Sequence, residues 1–250
     1  MKTIGVIPAR WASTRFEGKV LADIQGRPMI QHVWERACAS QQLNDVIIAC
    51  DDQRILSAAE QFNAKAVLTS SSHPSGTDRV AQIIETIGCD IAVNIQGDEP
   101  LISPAVIDAL VQVLAGDPTC SMGTVVKIID DTMDLTNPNV VKVVMDGDMN
   151  ALYFSRSPIP YNRDHSEDIV SYKHLGIYAY RRDFLLAFKN LPKSNLEKSE
   201  QLEQLRALEF GYKVKTVLTD IETIGVDTPD DLARVNQYLS EKANKNGQNR

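Results

Sequence analysis

The sequence contains few cysteines and no long hydrophobic stretch. Its four cysteines lie far apart, and no two of them form a CxxC pair. This pattern favours reduced, buried thiols. No apolar run reaches 18 residues, and the first residues lack the apolar region of a signal peptide. We therefore expect a cytoplasmic protein without membrane insertion.

Positive charge is also in short supply. The chain of 250 residues has 26 lysines and arginines against 33 acidic residues, for a net charge of -7. A nucleic-acid-binding protein needs a broad basic face, so we expect no nucleic-acid partner. A local cluster of cations is better matched to a small anionic ligand. The hydrophobic share of 43% is that of an ordinary globular protein.

Several motifs of common enzyme classes are missing as well. The chain has neither the GxxxxGK[ST] pattern of P-loop proteins nor the GxGxxG pattern of dinucleotide-binding folds. It also shows no evident Ser-His-Asp or Cys-His arrangement. Ordinary ATPase and dinucleotide-binding functions therefore lose support.

The first 130 residues, in contrast, alternate strand and helix patterns. Residues 3–7, 46–50 and 91–95 are short apolar runs typical of buried strands. Residues 29–39 and 104–114 carry apolar side chains at helical spacing. Continuous apolar strands that alternate with helices predict an α/β fold, with a mostly parallel central sheet and helices on both faces.

The second half of the chain has a different pattern. Two strand-like runs around the turn at residues 146–148 predict a β-hairpin, and residues 174–180 predict a further strand. A long capped helix is expected over 196–210. Because no linker interrupts the chain, we predict one domain over residues 1–243 with the hairpin as an elaboration. A disordered polar tail is expected over 244–250.

A cluster of cations follows the first strand. Arg10, Arg15 and Lys19 lie within ten residues, in a loop of small residues whose amides can approach a ligand. Such a loop at the end of a strand can hold a polyphosphate, which predicts a phosphate-binding role for its cations. The alternative is a solvated loop with scattered cations, which the spacing alone does not exclude.

Two carboxylates stand at strand ends. Asp98 follows the strand over 91–95, at the edge of the sheet where open α/β folds bind ligands. Beside a polyphosphate it would suit Mg²⁺, which prefers a few carboxylates together with phosphate oxygens and water. A turn or cap is the alternative role for Asp98. Asp227 precedes Thr228 and Pro229, a good helix start by itself, but paired with Asp98 it becomes a candidate second metal ligand.

Three further segments leave their roles open. Residues 73–79 combine small residues with an arginine, and suit either the binding of a base or ribose or the capping of a helix. Arg156 and His174 could lie in a pocket, although such residues at a strand end are more often structural or exposed. Glu203 and Gln204 lie on the predicted helix, where a polar face is ordinarily solvated.

Nine segments occur in the order found in the 3-deoxy-manno-octulosonate (Kdo) cytidylyltransferases, and the chain resembles that family from residue 4 to about residue 235. One such motif would be weak evidence, whereas nine in register are specific. The segments are residues 7–10, 13–15, 18–19, 75–79, 94–100, 151–156, 174–178, 202–206 and 226–229.

The resemblance implies a nucleotidyltransferase with a Rossmann-like fold. CMP would pass from CTP to the anomeric hydroxyl of Kdo, with Mg²⁺ as cofactor and release of pyrophosphate, as a step of lipopolysaccharide biosynthesis. The sugar hydroxyl would attack the α-phosphorus in line, so positioning and electrostatics would supply most of the catalysis. The family is usually a homodimer, with the hairpin region in the contact.

The resemblance also implies roles for particular residues. The nucleotide-binding set would be Pro8, Ala9, Arg10, Arg15, Lys19, Ser75, Gly76 and Arg79, in which the three loop cations hold the triphosphate. The metal ligands would be Asp98 and Asp227, which form the catalytic set together with Arg10, Arg15 and Lys19. The sugar-acid site would comprise Gln96, Arg156, His174, Tyr178, Glu203 and Gln204.

The cationic loop departs from the family pattern. Where the family usually has Leu-Pro-Gly-Lys-Pro-Leu, residues 16–21 are Phe-Glu-Gly-Lys-Val-Leu. The loop therefore lacks two prolines, and Glu17 brings a negative charge beside the expected phosphate site. Pro74 also replaces a usual glutamine. The cations are retained, but the rigidity of the loop and its affinity for CTP become open questions.

Two other functions stay open. A cytidylyltransferase of the same fold could act on sialic acid or on 8-amino-Kdo, and the choice between Kdo and its 8-amino analogue depends on pocket contacts that the sequence does not place. A nucleotide-binding protein without turnover is expected to lack a metal carboxylate or a loop cation. Here both carboxylates and all three cations are present.

Overall fold

The computed structural model describes residues 1–12, 16–164, 166, 168–221 and 223–248. The chain divides into two compact units, each assembled from separate segments. The first unit comprises Ile4–Ile87, Asn94–Pro104 and Glu222–Arg250, and the second comprises Met1–Thr3, Gly88–Val93 and Ala105–Ile221. The sequence predicted a single domain over 1–243, because a chain that passes repeatedly between units without a linker leaves no compositional boundary.

The first part of the chain, up to the third helix, contains short strands and helices in alternation. These elements are β1 (Thr3–Ala9), a short 3-10 helix (Lys19–Leu21), β2 (Asp23–Ile24), β3 (Arg27–Pro28), α1 (Met29–Cys38), β4 (Asp45–Cys50), α2 (Gln53–Gln61), β5 (Lys65–Leu68) and α3 (Gly76–Thr86).

The remaining elements lie in the second unit, apart from the last helix, which returns to the first. They are β6 (Ile91–Asn94), α4 (Pro104–Gly116), β7 (Met122–Ile128), α5 (Thr132–Thr136), β8 (Lys142–Met145), β9 (Ala151–Ser155), β10 (Tyr172–Arg181), α6 (Arg182–Phe188), α7 (Asn195–Glu200), α8 (Gln204–Glu209), β11 (Val214–Leu218) and α9 (Pro229–Gln248). Helix α9 includes residues 244–248, for which the polar composition predicted disorder.

In the first unit, β1, β4 and β5 are parallel neighbours. Nearly every residue of β1 is buried, as expected of a strand covered on both faces. Helix α1 buries Met29, Ile30 and Val33 on one side, in agreement with its helical spacing. Helix α3 begins at the N-cap Ser75, whose hydroxyl accepts a hydrogen bond from the Asp78 N–H. Local sequence signals therefore place most elements of this unit correctly.

The second unit has mixed strand pairing. Strand β10 is antiparallel to both β7 and β8, whereas β11 runs parallel to β7. The predicted hairpin is observed, because β8 and β9 are antiparallel and place Val143 opposite Phe154. The predicted strand over 174–180 lies within β10. No helix in the described part of the chain is long and apolar enough to cross a membrane.

The long helix expected over 196–210 is wrong. Its start is as predicted, with a capping box between Ser194 and Glu197, but α7 ends at Glu200 and is followed by Gln201, which has a left-handed φ of 54°. The carboxylate of Glu200 accepts hydrogen bonds from the Ser155 hydroxyl at 2.6 Å and from the Arg156 N–H at 2.9 Å. These tertiary bonds coincide with the end of α7, and local propensity contains no information about them.

Candidate active site

The first unit contains a cavity of about 400 Å³ next to the end of β1. At the base of this cavity the chain that follows β6 is hydrogen-bonded to β1, because the Ile95 N–H donates to the Val6 carbonyl at 3.0 Å. The lining residues are Pro8, Arg10, Ala12, Lys19, Val20, Gly76, Gln96, Gly97, Asp98 and Asp227. Seven of the predicted site residues are therefore neighbours around one cavity, although they come from distant parts of the sequence.

Lys19 joins the two predicted metal carboxylates. Its Nζ donates to Asp98 Oδ2 at 2.7 Å and to Asp227 Oδ1 at 2.8 Å. The lysine side chain is 13% exposed, whereas those of Asp98 and Asp227 are 31% and 49% exposed. Burial by itself lowers the pKa of Lys19, but the two carboxylates together outweigh it and raise that pKa above its ordinary value. Lys19 is therefore firmly charged at neutral pH.

The backbone fixes this arrangement. The Val226 N–H donates to the Asp98 carbonyl at 2.9 Å, which ties together the two segments that carry the carboxylates. Val226 and Leu101 are buried in the same apolar cluster, together with Val235 of α9. The segments that carry the two carboxylates thus pack against a buried apolar cluster and are joined by one backbone hydrogen bond.

The capping alternative for Asp227 is resolved by the structure. Asp231 Oδ2 accepts hydrogen bonds from the N–H groups of Asp227 and Thr228, and the Thr228 hydroxyl accepts one from the Asp231 N–H. Thr228 and Asp231 thus cap the start of α9 between them. The side chain of Asp227 instead contacts Lys19, where it adds to the negative charge of the cavity.

The pair of carboxylates is chemically suited to Mg²⁺. The described residues include no group of three or more His, Cys, Asp or Glu side chains that could hold a metal ion. Two carboxylate oxygens that converge on one cation nevertheless match the Mg²⁺ preference for one or two protein carboxylates completed by phosphate oxygens and water. The donor set therefore fits a metal that arrives with a polyphosphate.

A glycine allows the backbone to approach closely at the base of the cavity. A Cβ atom at Gly97 would lie 2.8 Å from the Pro8 carbonyl oxygen, so no larger residue fits without a backbone shift. Arg10 also lines the cavity, and its guanidinium donates to the His73 carbonyl at 3.1 Å. The predicted phosphate cation Arg15 lies outside the described residues.

Two of the residues predicted to hold cytidine do not line the cavity. Arg79 is fully buried, with an ion pair to Asp51 Oδ2 at 3.1 Å and a hydrogen bond to the Thr69 hydroxyl. Ser75 caps α3 and donates its hydroxyl to Asp78 Oδ2 at 2.6 Å. In the structure these two side chains support the loop framework, and Gly76 is the member of the set that faces the cavity.

In the second unit, His174 and Tyr178 belong to a partly buried aromatic group. The His174 ring lies 5.1 Å from that of Phe154 and 5.3 Å from that of Tyr178, between ring centroids. Its Nε2 is 2.9 Å from the Thr124 hydroxyl. Burial lowers the pKa of His174 to about 3 and raises that of Tyr178 well above its ordinary value. Both side chains are therefore neutral hydrogen-bonding groups at neutral pH.

Arg156, Glu203 and Gln204 lie in the same unit. The Arg156 guanidinium donates to the carbonyls of Glu200 at 2.8 Å and Pro138 at 2.9 Å. Gln204 is buried, and its Nε2 has no hydrogen-bond partner among the residues that the structure describes. A buried amide donor without a partner calls for a polar group from a ligand or water. Gln96, the remaining residue predicted for the sugar acid, lies in the first unit on the cavity wall.

Sequence reasoning missed two residues that organise these sites. Asp51 follows the apolar strand β4 and accepts hydrogen bonds from both Arg79 and the Trp11 N–H. Its position at the carboxyl end of a parallel strand is a signal that could have identified it. Thr124 lies inside β7, where its hydroxyl contacts His174 and donates to the Ile177 carbonyl at 2.8 Å. A threonine within a strand gives no such signal.

Comparisons with known proteins give consistent results. A family model described as Cytidylyltransferase matches residues 4–217. The 3-deoxy-manno-octulosonate cytidylyltransferase of Solibacter usitatus (strain Ellin6076) is 54% identical over 238 residues, covering 95% of this chain and 94% of the relative. The enzyme of the same name from Geotalea uraniireducens (strain Rf4) is 51% identical over 249 residues, covering 96% and 99%.

A solved structure is similar over nearly the whole chain. It is that of a CMP:2-keto-3-deoxy-manno-octonic acid synthetase complexed with CTP, which superposes with a TM-score of 0.93 at 43% identity. The similarity covers 97% of this chain and all of the other. The arrangement of strands and helices described above is thus also that of a synthetase solved in complex with CTP.

Proposed function

Because the chain belongs to the 3-deoxy-manno-octulosonate cytidylyltransferase family, we propose that it transfers CMP from CTP to Kdo and releases pyrophosphate. The family resemblance inferred from nine motifs is confirmed by the family model and by relatives that are about half identical. The expected α/β fold is confirmed by the similar solved structure. The protein is therefore an enzyme, a nucleotidyltransferase.

The observation that carries the proposal is the cluster of Lys19, Asp98 and Asp227 beside a glycine-lined cavity. Lys19 and Arg10 supply positive charge for a triphosphate, and Gly97 lets the backbone pack closely against the Pro8 carbonyl at the wall of the cavity. Phosphate transfer needs positioning and charge stabilisation more than a protein nucleophile. This cavity offers that combination.

Lys19 has two roles in this account. Its ammonium group bridges the two carboxylates and offsets part of their negative charge. When a triphosphate binds, the same ammonium group is placed to stabilise the negative charge that builds up on the phosphates.

Arg15→Ala is expected to abolish CMP transfer while the fold persists. That result would support a phosphate-binding role for this third loop cation.

We also propose that Asp98 and Asp227 hold Mg²⁺. Bound there with phosphate oxygens, the ion would neutralise charge on the triphosphate and favour departure of pyrophosphate. The Val226–Asp98 backbone hydrogen bond joins the two segments that carry these carboxylates. This pre-organisation lowers the cost of assembling the site around the nucleotide.

Five of the residues proposed to bind the sugar acid, Arg156, His174, Tyr178, Glu203 and Gln204, belong to the second unit. Neutral His174 and Tyr178 can hydrogen-bond sugar hydroxyls without a charge to desolvate. The unpartnered Gln204 amide suits a further hydroxyl or a carboxylate oxygen. Arg156 supplies the cation that a sugar carboxylate requires. Glu203 completes the set as a hydrogen-bond acceptor.

We further propose that the enzyme acts in the cytoplasm, supplies CMP-Kdo for lipopolysaccharide biosynthesis and forms a homodimer. Exposed apolar side chains near the hairpin support a subunit contact there, since Leu152 is 60% and Tyr161 83% exposed. Sedimentation equilibrium of the wild type and of Leu152→Lys tests this point. The substituted protein is expected to be a monomer.

The deciding experiment is pyrophosphate release from CTP and Mg²⁺ with Kdo, 8-amino-Kdo and sialic acid measured side by side. The largest kcat/KM is expected with Kdo. Turnover with another sugar acid and none with Kdo would overturn the assignment of the acceptor. CTP binding without turnover of any acceptor would instead favour the nucleotide-binding protein considered above.

A further inference from the structure

Trp11 links the two ends of the cationic loop. The Trp11 Nε1–H donates to Glu17 Oε1 at 2.8 Å, and the Gly18 N–H donates to the Trp11 carbonyl at 2.9 Å. Side chain and backbone of one residue thus bind two consecutive residues at the other end of the loop. Glu17 takes part in this closure as a hydrogen-bond acceptor.

A second contact covers the indole ring. The guanidinium carbon of Arg54 lies 3.5 Å from the centroid of the Trp11 ring, in the geometry of a cation–π interaction. Asp52 holds Arg54 in place with two hydrogen bonds of 2.8 and 2.7 Å. These bonds raise the pKa of Arg54, and the charge of Glu17 adds to the same effect. The negative charge of Glu17 is therefore partly balanced within its own surroundings.

The backbone of Trp11 is fixed to the protein interior. Its N–H donates to Asp51 Oδ1 at 2.9 Å, and the other oxygen of Asp51 pairs with the fully buried Arg79. The loop is thus anchored to the end of β4 through a buried ion pair. We call Trp11, Glu17 and Arg54 the loop clamp, with Asp51 and Arg79 as its anchor.

The clamp acts directly on the residue before Lys19. Gly18 has a φ of +67°, and a Cβ atom there would lie 2.8 Å from an atom of the Trp11 ring. Gly18 is also the N-cap of the 3-10 helix that begins at Lys19. The indole ring therefore packs closely against the residue at which this helix begins, directly before Lys19.

We propose that the loop clamp is a positioning device for nucleotide binding, which rests on the function proposed above. It joins the two described ends of the loop, residues 10–12 and 16–19, in the arrangement that presents Arg10 and Lys19 to the triphosphate. Glu17 contributes to this positioning through the hydrogen bond that it accepts from Trp11, and not through its negative charge. The clamp thereby supplies the stiffness that a loop without prolines lacks.

Substitutions at Glu17 separate the hydrogen bond from the charge. Glu17→Ala removes the acceptor and is expected to raise the KM for CTP about fivefold with little change in kcat, the scale of one lost hydrogen bond. Glu17→Gln keeps an acceptor oxygen but no charge, and is expected to bind CTP like the wild type. If both variants bound CTP more tightly, repulsion by the Glu17 charge would be the dominant effect and the proposal would be wrong.

A double-mutant cycle tests the partner. Trp11→Phe keeps an aromatic ring beneath Arg54 but removes the N–H donor, and is expected to raise the KM for CTP about as much as Glu17→Ala. The double variant is expected to be no worse than either single variant, because both remove the same hydrogen bond. Additive effects would show that the two residues act independently and would overturn the proposal.

Fluorescence gives a readout that does not depend on turnover. The chain has two tryptophans, so a Trp34→Phe background leaves Trp11 as the single fluorophore. In that background Glu17→Ala is expected to make Trp11 more accessible to acrylamide quenching, whereas Glu17→Gln is not. Equal quenching in all three proteins would overturn the clamp even if CMP transfer were intact. If CMP transfer were absent but the quenching difference were as expected, the result would count against the proposed function and not against the clamp.

Discussion

At the scale of single residues, Lys19 joins two acidic side chains that are distant from it in the sequence. It reaches Asp98 and Asp227, which lie 79 and 208 positions further along the chain. Each carboxylate is more than a quarter exposed, yet the lysine between them is nearly covered. A lysine between two carboxylates in this way keeps its charge, and a neutral side chain at this position would leave the two carboxylates without a shared cation.

Lys19→Met is expected to lower kcat/KM for CMP transfer by about a hundredfold or more, the effect of removing a group that stabilises charge in a transition state. The matched control is Lys65→Met, which removes one positive charge at a lysine whose side chain is 68% exposed. The control is expected to keep wild-type turnover. Steady-state kinetics with a pyrophosphate assay measures both, and equal losses would show that only net charge matters.

His174 predicts a dependence of stability on pH. Its pKa is about 3 in the folded protein and near its ordinary value of 6.5 in the unfolded chain. Below pH 6.5 the unfolded state therefore binds a proton that the folded state does not, so stability falls as the pH decreases. Above pH 6.5 the residue contributes no pH dependence.

His174→Gln is expected to remove this contribution, since the amide does not titrate. Between pH 7.5 and pH 5.0 the wild type is expected to lose about 2 kcal/mol more unfolding free energy than the variant. Urea denaturation at the two pH values measures the difference. If both proteins lost the same unfolding free energy, the pKa of His174 in the folded protein would be that of a solvated imidazole, and the prediction would be wrong.

At the scale of elements, the segment from α7 to α8 shows how a local signal and a tertiary contact combine. The capping box at Ser194 starts α7 as the sequence pattern indicates. Glu200, at the end of α7, accepts hydrogen bonds from β9 and the residue after it, and the chain turns at Gln201. A pair of short helices results, and Gln204 begins the second one in a buried position.

Ser194→Ala is expected to lower the free energy of unfolding by about 1 kcal/mol, the usual cost of losing an N-cap side chain. Ser57→Ala is the matched control, because Ser57 lies on the exposed face of α2 within the helix. Alanine is the better helix former there, so the control is expected to be neutral or slightly stabilised. Chemical denaturation of the two variants beside the wild type gives both values.

At the scale of the whole molecule, ligand binding is expected to stabilise the fold. A ligand at one hundred times its Kd adds about 2.7 kcal/mol, which corresponds to roughly 5 to 10 °C in Tm for a chain of this size. CTP with Mg²⁺ is expected to give a shift of this order in a thermal-shift assay. Addition of EDTA in excess over Mg²⁺ is expected to reduce it, and an unchanged shift would argue against metal binding by Asp98 and Asp227.

Much of the fold is encoded locally. The apolar runs of β1 and β4, the helical spacing of α1 and the cap at Ser75 can each be recognised within a few residues, because burial patterns and caps are short-range features. The positions of Arg10, Lys19, Asp98 and Asp227 at strand ends and loops follow from the same patterns. Arg15 stays a prediction of the sequence.

Other features depend on contacts between distant residues. No local pattern indicates that Arg79 is buried against Asp51, that α7 ends at Glu200, or that Trp11 and Glu17 close the cationic loop. The sequence by itself determined the strands, the motifs and the family, and it left the rigidity of the loop open. Only the tertiary structure placed Lys19 between two carboxylates and gave Glu17 a partner. A hydrogen bond requires two groups to meet within about 3 Å, and for residues far apart in the chain that distance is set by the fold.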